Sequence, residues 1–278
     1  MSARDKGVII VPCCIFLTKD FDYTIRQRNF CLIVSIGVEM PKKGEIDYLK
    51  NIGKEGQRHV ANKPFSDNDC GQYLIDIGSL ISLLPPPPGK LLDIGAGTGW
   101  TSIFFAKRGY DVIAQDISED MIALARMNKR RYKVKNLDFL VCDYEDMNLN
   151  EVFDYAIFYD SLHHSVDEHK AIYHAYKALK SGGICLACEP GVFHSRTVEA
   201  RNAIEKWEVT ERDMPPVMII RAGRKAGFRK FKVYIRYQGP FEILSSFSVE
   251  GFRKACKHLA RYLPGSGIML PNIVLMIK

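Results

Sequence analysis

Between residues 90 and 189, short apolar runs alternate with segments of helical period. The runs are KLLDI (90–94), DVIAQ (111–115), LDFLVC (137–142), FDYAIFY (153–159) and GICLACE (183–189). The helical segments include EDMIALARMNKRR, which Ser118 can cap, and EHKAIYHAYKALK, with Gly182 and Gly183 just past its end. Strands alternating with helices imply a parallel sheet covered on both faces. The predicted class is α/β with a doubly wound, mostly parallel sheet.

The flanks extend this pattern. IDYLKNIGKEGQRHV and NDCGQYLIDIGSLISLL both read as helices, the second with Leu74, Ile77, Leu80, Ile81 and Leu84 at three- and four-residue spacing. PPPPG (85–89) ends that helix as a stiff connector. Beyond Glu189, SRTVEARNAIEKW and PPVMIIRAGRKAGF read as helices, the latter with Pro216 near its first turn and Gly227 at its end. FKVYIRY (231–237) and NIVLMIK (272–278) read as closing strands. About 34 residues separate them and carry the helical pattern VEGFRKACKHLARYL. Insertions of that length are often binding loops or lids. Residues 1–45 hold two apolar patches, VIIVPCCIFL and CLIVSIGVEM, and read as an N-terminal extension.

Composition excludes several classes. With 47% hydrophobic and 26% charged residues, the 278-residue chain reads as soluble and globular. No apolar run reaches the roughly 18–20 residues that span a bilayer. VIIVPCCIFL follows Arg4 and Lys6 but is interrupted by Pro12, and FLTKDFD lacks a cleavage pattern, so it reads as mature chain rather than a signal peptide. The eight cysteines are scattered, and Cys142, Cys185 and Cys188 fall inside predicted strands, which favours a reducing, cytoplasmic compartment. Cys185 and Cys188 are three apart on a strand and point to opposite faces, as core positions do. The net charge of +7 comes from basic clusters at 126–135, 221–232 and 253–261. They read as solvated faces; no RNA-binding module accompanies them, so nucleic acid is the weaker partner reading.

LLDIGAGTGW (91–100) carries the chemistry. A strand delivers Asp93, then Gly95, Gly97 and Gly99, then a helix. Glycines let the backbone turn sharply and approach a ligand closely. The dinucleotide fingerprint requires a small residue at its sixth place, where Trp100 stands here. The pattern is instead an acidic residue followed by x-G-x-G-x-G. It resembles the motif of class I S-adenosylmethionine (AdoMet)-dependent methyltransferases, and the resemblance runs from about residue 70 to the end. Asp116 in AQDIS, Asp143 and Tyr144 in VCDYEDM, and LKSGG (179–183) stand where that family has its ribose acid, its adenine contacts and its turn into the fifth strand.

The resemblance implies seven strands, the last antiparallel, with the cofactor S-adenosyl-L-methionine across their C-terminal ends. It implies a cofactor set of Asp93, Gly95, Ala96, Gly97, Gly99, Asp116, Ile117, Asp143, Tyr144 and Tyr159. It divides the methyltransferase domain, 46–278, into a helical cover (46–84), a cofactor core (90–189) and acceptor-side helices with the insertion (190–271). HVANKPFSD (59–67) is the candidate cover over the cofactor, with Phe65 as an aromatic contact.

Methyl transfer from a sulfonium mainly needs alignment, exclusion of water and removal of a proton. Alkyl hydroxyls need a base most, and histidine titrates in the right range. FYDSLHHSVDE (158–168) offers one: Asp160 ends the fourth strand, and His163 and His164 leave the sheet at its ligand end. His164 is the first candidate and His163 the second, with Glu189 at the end of the fifth strand as the carboxylate that orients an imidazole. The alternative for either histidine is shaping the loop. No metal site is expected: Asp160 fits the first ligand of catechol-type enzymes, but EPG does not supply their Asp-Asn pair. Phe193, His194, Arg196, Trp207, Arg212, Tyr237 and Phe241 are candidate pocket residues, with ERDMPP (211–216) as a pocket loop. The expected activity is methylation of a hydroxyl on a sugar or other small molecule. The alternatives are N- or C-methylation of a small molecule or RNA, and a non-catalytic AdoMet-binding protein.

Overall fold

The computed structural model describes residues 42–237 and 272–278. The extension predicted up to residue 45 therefore lies outside the described residues except for its last four. The insertion helix VEGFRKACKHLARYL and Phe241 lie outside them as well.

The five alternating runs become β1 (Lys90–Ile94), β2 (Asp111–Asp116), β3 (Leu137–Val141), β4 (Phe153–Tyr159) and β5 (Leu179–Glu189), joined by β6 (Lys230–Ile235) and β7 (Asn272–Ile277). They form one seven-stranded sheet in the order β3-β2-β1-β4-β5-β7-β6. β1 to β5 pair in parallel, and β7 runs antiparallel to both β5 and β6. From β1 the chain winds outward to β2 and β3, then returns to β4 on the other side. Such a reversal opens a crevice beyond the carboxyl ends of the strands, where ligands bind in open α/β sheets.

Among the described residues, eight α-helices accompany the sheet: α1 (Lys43–Asn51), α2 (Gly53–Ala61), α3 (Cys70–Leu83), α4 (Trp100–Arg108), α5 (Glu119–Arg131), α6 (Glu168–Ala178), α7 (Val198–Trp207) and α8 (Pro216–Ala226). Side chains alternate across a strand, so the two faces build separate cores. Leu92, Ile94 and Phe158 pack with Ile172 and Ala175 of α6 and Ile219 and Ala222 of α8. Leu91, Ala114 and Ile157 pack with Ile77 and Leu80 of α3 and Phe105 of α4. Cys185 belongs to the first core and Cys188 to the second, both closed to solvent. Ser118 caps α5 by accepting from the Met121 amide, as predicted, and Asp167 and Thr197 cap α6 and α7.

The structure departs from two predicted boundaries. The helix expected over 46–60 is two helices, because Gly53 adopts a left-handed conformation (φ +67) that α1 cannot continue through. LKSGG is not a turn but the first half of β5, with Gly182 at φ +78 and a register shift opposite Phe153 and Tyr155. A bulge absorbs the glycines without ending the pairing.

Candidate active site

The loop leaving β1 turns through three left-handed glycines, Gly95, Gly97 and Gly99 (φ +70, +53 and +70), before α4 begins at Trp100. Asp93 closes it from behind. Its carboxylate is buried and accepts from the hydroxyls of Thr101 and Ser102, each at 2.6 Å, which ties the strand to the first turn of α4. Burial pushes its pKa up to about 6. A Cβ on Gly95 would stand 2.6 Å from Ser161 Cβ, whereas one on Gly97 would meet nothing within 4 Å.

Gly97 opens onto a cavity of about 580 Å³ at the carboxyl ends of the strands. Of the residues expected around the cofactor, Gly95, Ala96, Gly97, Asp116, Ile117, Asp143, Tyr144 and Tyr159 line it. Asp93 and Gly99 do not. Asp93 is turned to the α4 hydroxyls, and Gly99 faces Ala125 of α5. Both hold the loop's shape from behind the wall.

Asp116 accepts from the backbone amides of Gly97 (2.8 Å) and Ser118 (2.9 Å). Burial raises its pKa against those hydrogen bonds. Asp143 is held by Lys42, 2.7 Å away, and Lys42 also reaches Glu145 at 2.6 Å. Nothing in the sequence pattern announces Lys42, which comes from the start of α1. Phe65 is 63% exposed and takes no part in the wall, whereas Val60 and Lys63 of the same stretch line the cavity.

The other end of the cavity is built where β4 and β5 finish. Asp160 turns the chain out of the sheet in a left-handed conformation (φ +44), uncommon for a residue with a side chain. Ser161 then donates to the Ile94 carbonyl at 2.7 Å, and Leu162–His164 forms one turn of 3₁₀ helix. Glu189, the last residue of β5 and fully buried, receives the backbone amides of Ser161, Leu162 and His163. Its Oε2 also lies 2.8 Å from Nδ1 of His163. Glu189 therefore sits behind the wall and serves His163, not His164.

His164 turns the other way. Its Nδ1 donates to the Thr210 carbonyl at 2.6 Å. Burial, with His163 adjacent, lowers its pKa below the ordinary histidine value against the pull of Glu45 and Glu211. Glu211 stands between two further rings, with Oε2 2.6 Å from His194 Nε2 and 3.4 Å from His163 Nε2. That hydrogen bond raises the His194 pKa. Burial alone would raise Glu211, but the imidazoles outweigh it and hold it low.

The predicted pocket residues divide. His194 and Trp207 line the cavity. Arg212 is occupied with the carbonyls of Ser165 and Val166 and with Glu168. Arg196 stacks on Phe193, which is exposed. Tyr237 does not join the wall; its neighbour Arg236 does, bridging Asp160 (2.7 Å) and buried Asp76 (2.6 Å). Arg236 holds the Asp160 carboxyl below its usual range despite burial.

Residues 92–187 match the family described as a methyltransferase domain. Over 120 residues the chain is 32% identical to the ubiquinone biosynthesis O-methyltransferase of Paramagnetospirillum magneticum, covering 43% of this chain and 46% of that protein. Over 112 residues it is 29% identical to the tRNA 5-carboxymethoxyuridine methyltransferase of Escherichia coli, covering 39% of this chain and 43% of that one. The chain thus spans less than half the length of these curated relatives. Phosphoethanolamine N-methyltransferase 2 of Haemonchus contortus, solved in complex with S-adenosyl-L-methionine, shares the fold with a TM-score of 0.59. It is 20% identical, and the match covers 87% of this chain and 60% of that one. Residues 92–187 of this chain thus match a methyltransferase domain, and the seven-stranded sheet around them belongs to a fold shared with an AdoMet-bound methyltransferase.

Proposed function

We propose that this protein transfers a methyl group from AdoMet to an oxygen of a small-molecule acceptor, with His164 as general base. One observation carries the reading: Gly97 and Asp116 line the same cavity as His164. Its volume lies in the roughly 300–1,000 Å³ range of small-molecule sites. The residues present suit the cofactor. Gly97 leaves open the space a Cβ would fill, and the Asp116 carboxylate beside it can accept from both ribose hydroxyls. Bound there, AdoMet supplies a methyl group already activated by its sulfonium.

The chain's own residues then align the acceptor, keep water out and take a proton. Thr210 fixes the hydrogen on Nδ1 of His164, so the neutral ring carries its lone pair on Nε2. Burial favours that neutral ring near pH 7. The acceptor hydroxyl gives its proton to Nε2 as its oxygen gains the methyl group. Tyr48, Trp207 and Val209 add apolar wall for the acceptor.

Calorimetry with AdoMet and its demethylated product tests the cofactor site, and transfer of labelled methyl to hydroxyl, amine and RNA acceptors tests the reaction. Binding with transfer to a hydroxyl is expected. Transfer only to nitrogen, carbon or RNA would overturn the oxygen assignment, binding without transfer would favour a non-catalytic role, and no binding would overturn the whole reading.

A further inference from the structure

We propose that His163, His194 and Glu211 bind one divalent transition-metal ion at the acceptor end of the cavity. Two imidazoles and a carboxylate form a three-ligand set of the kind that holds catalytic zinc or non-haem iron with a position left open. The three ligand atoms lie within 4.8 Å of one another. Metal–nitrogen and metal–oxygen bonds of about 2.0–2.1 Å put tetrahedral neighbours roughly 3.3 Å apart. His163 Nε2 and Glu211 Oε2 already stand 3.4 Å apart; His194 Nε2, 2.6 Å from the same oxygen, is hydrogen-bonded to it, and that contact opens by about 0.7 Å as the nitrogen exchanges its hydrogen for the metal.

Two further observations point to a cation. The first is the support behind His163. Glu189 accepts from its Nδ1, which leaves Nε2 as the free lone pair facing Glu211. A carboxylate behind a ligating histidine fixes the ring's tautomer and direction, as in metal sites generally. Glu189 is itself anchored by three backbone amides, so the ring is held before any ligand arrives. The second is charge. Glu189 and Glu211 face each other across His163, and among the described residues their ion-pair partners are imidazoles, with no lysine or arginine. By contrast, Asp160 and Asp76 share Arg236, and Asp143 and Glu145 share Lys42. A dication would take the place of the imidazole hydrogen bond that holds Glu211 in the free protein.

The site also has a use, which rests on the proposed reaction. The His164 ring lies 4.1 Å, centroid to centroid, from His163. An acceptor hydroxyl on the metal's open position is acidified by it and stands beside the base. The metal holds the oxygen, and His164 receives the proton.

The test uses the full chain, stripped with a chelator and titrated with Zn²⁺ by calorimetry and with Co²⁺ by visible absorption. One ion per chain is expected, with affinity falling roughly 100-fold or more in each of His163→Ala, His194→Ala and Glu211→Gln. His194 sits on a partly exposed turn, so its variant tests the site without opening the core; circular dichroism checks its fold. No saturable binding to the wild type, or binding unchanged in the three variants, would overturn the site. Full methyl transfer by the metal-free protein would overturn its role in holding the acceptor. A bound ion lost in the variants, with no transfer to any acceptor, would uphold the site and count against the proposed reaction alone.

Discussion

Glu189 and His163 form a closed pair: carboxylate oxygen and ring nitrogen are 2.8 Å apart, with side-chain exposures of 0% and 6%. The same carboxylate gathers three consecutive amides of the turn after β4. One residue thus fixes both the backbone that carries the two histidines and the direction of the first ring.

Glu189→Gln keeps the shape but removes the charge and one acceptor oxygen. The loss expected is roughly 1.5–3 kcal/mol, as for hydrogen bonds to a charged group that are weakened at a buried site. Urea denaturation measures it, and an unchanged midpoint would show that the carboxylate does not anchor the turn.

Two glycines of one loop separate packing from ligand approach. Gly95→Ala drives its Cβ against Ser161, so a stability loss of about 2–5 kcal/mol is expected from overpacking and left-handed strain. Gly97→Ala meets no protein atom and carries only the strain, about 1–2 kcal/mol. Its cost falls on the ligand: affinity for demethylated AdoMet drops roughly 10-fold or more. Melting curves and calorimetry on the two variants check the contrast.

His164→Ala is expected to lower kcat roughly 10²- to 10⁴-fold while AdoMet affinity stays at its wild-type value. The working form is the unprotonated ring, and burial lowers its pKa. The wild-type rate should therefore hold as pH falls to about 6.5, the ordinary histidine value, and decline only below it. A kcat profile whose acid limb lies above that value would remove His164 as the base.

Asp93 links pH to stability with the opposite sign to a salt-bridged carboxylate. Its folded pKa of about 6 lies above the ordinary 3.8, so folding retains a proton that the unfolded chain releases. Its contribution is fully present below about 3.8 and is lost as pH rises to about 6, a change on the order of 3 kcal/mol. Asp93→Asn should flatten that part of the curve of unfolding free energy against pH. A variant curve parallel to the wild type would show that the Asp93 carboxyl titrates alike in the folded and unfolded chain.

The sequence by itself determined the sheet, most of the helices and the glycine-loop end of the cavity. Apolar runs and helical periods are local, and a carboxylate at a strand end is placed by its neighbours, so Asp116 and Asp143 were legible beside the glycine loop. The inward or outward sense of Asp93 was not, because it depends on hydroxyls of the next helix. At the histidine end the tertiary structure decided nearly everything. Glu189 reaches His163 across 26 residues, and Arg236 reaches Asp160 across 76. His163, His194 and Glu211 come from three separate connections. Adjacent side chains such as His163 and His164 are identical to any sequence pattern. They part only when one ring packs toward a buried carboxylate and the other toward a carbonyl, and that choice belongs to long-range packing at the strand ends.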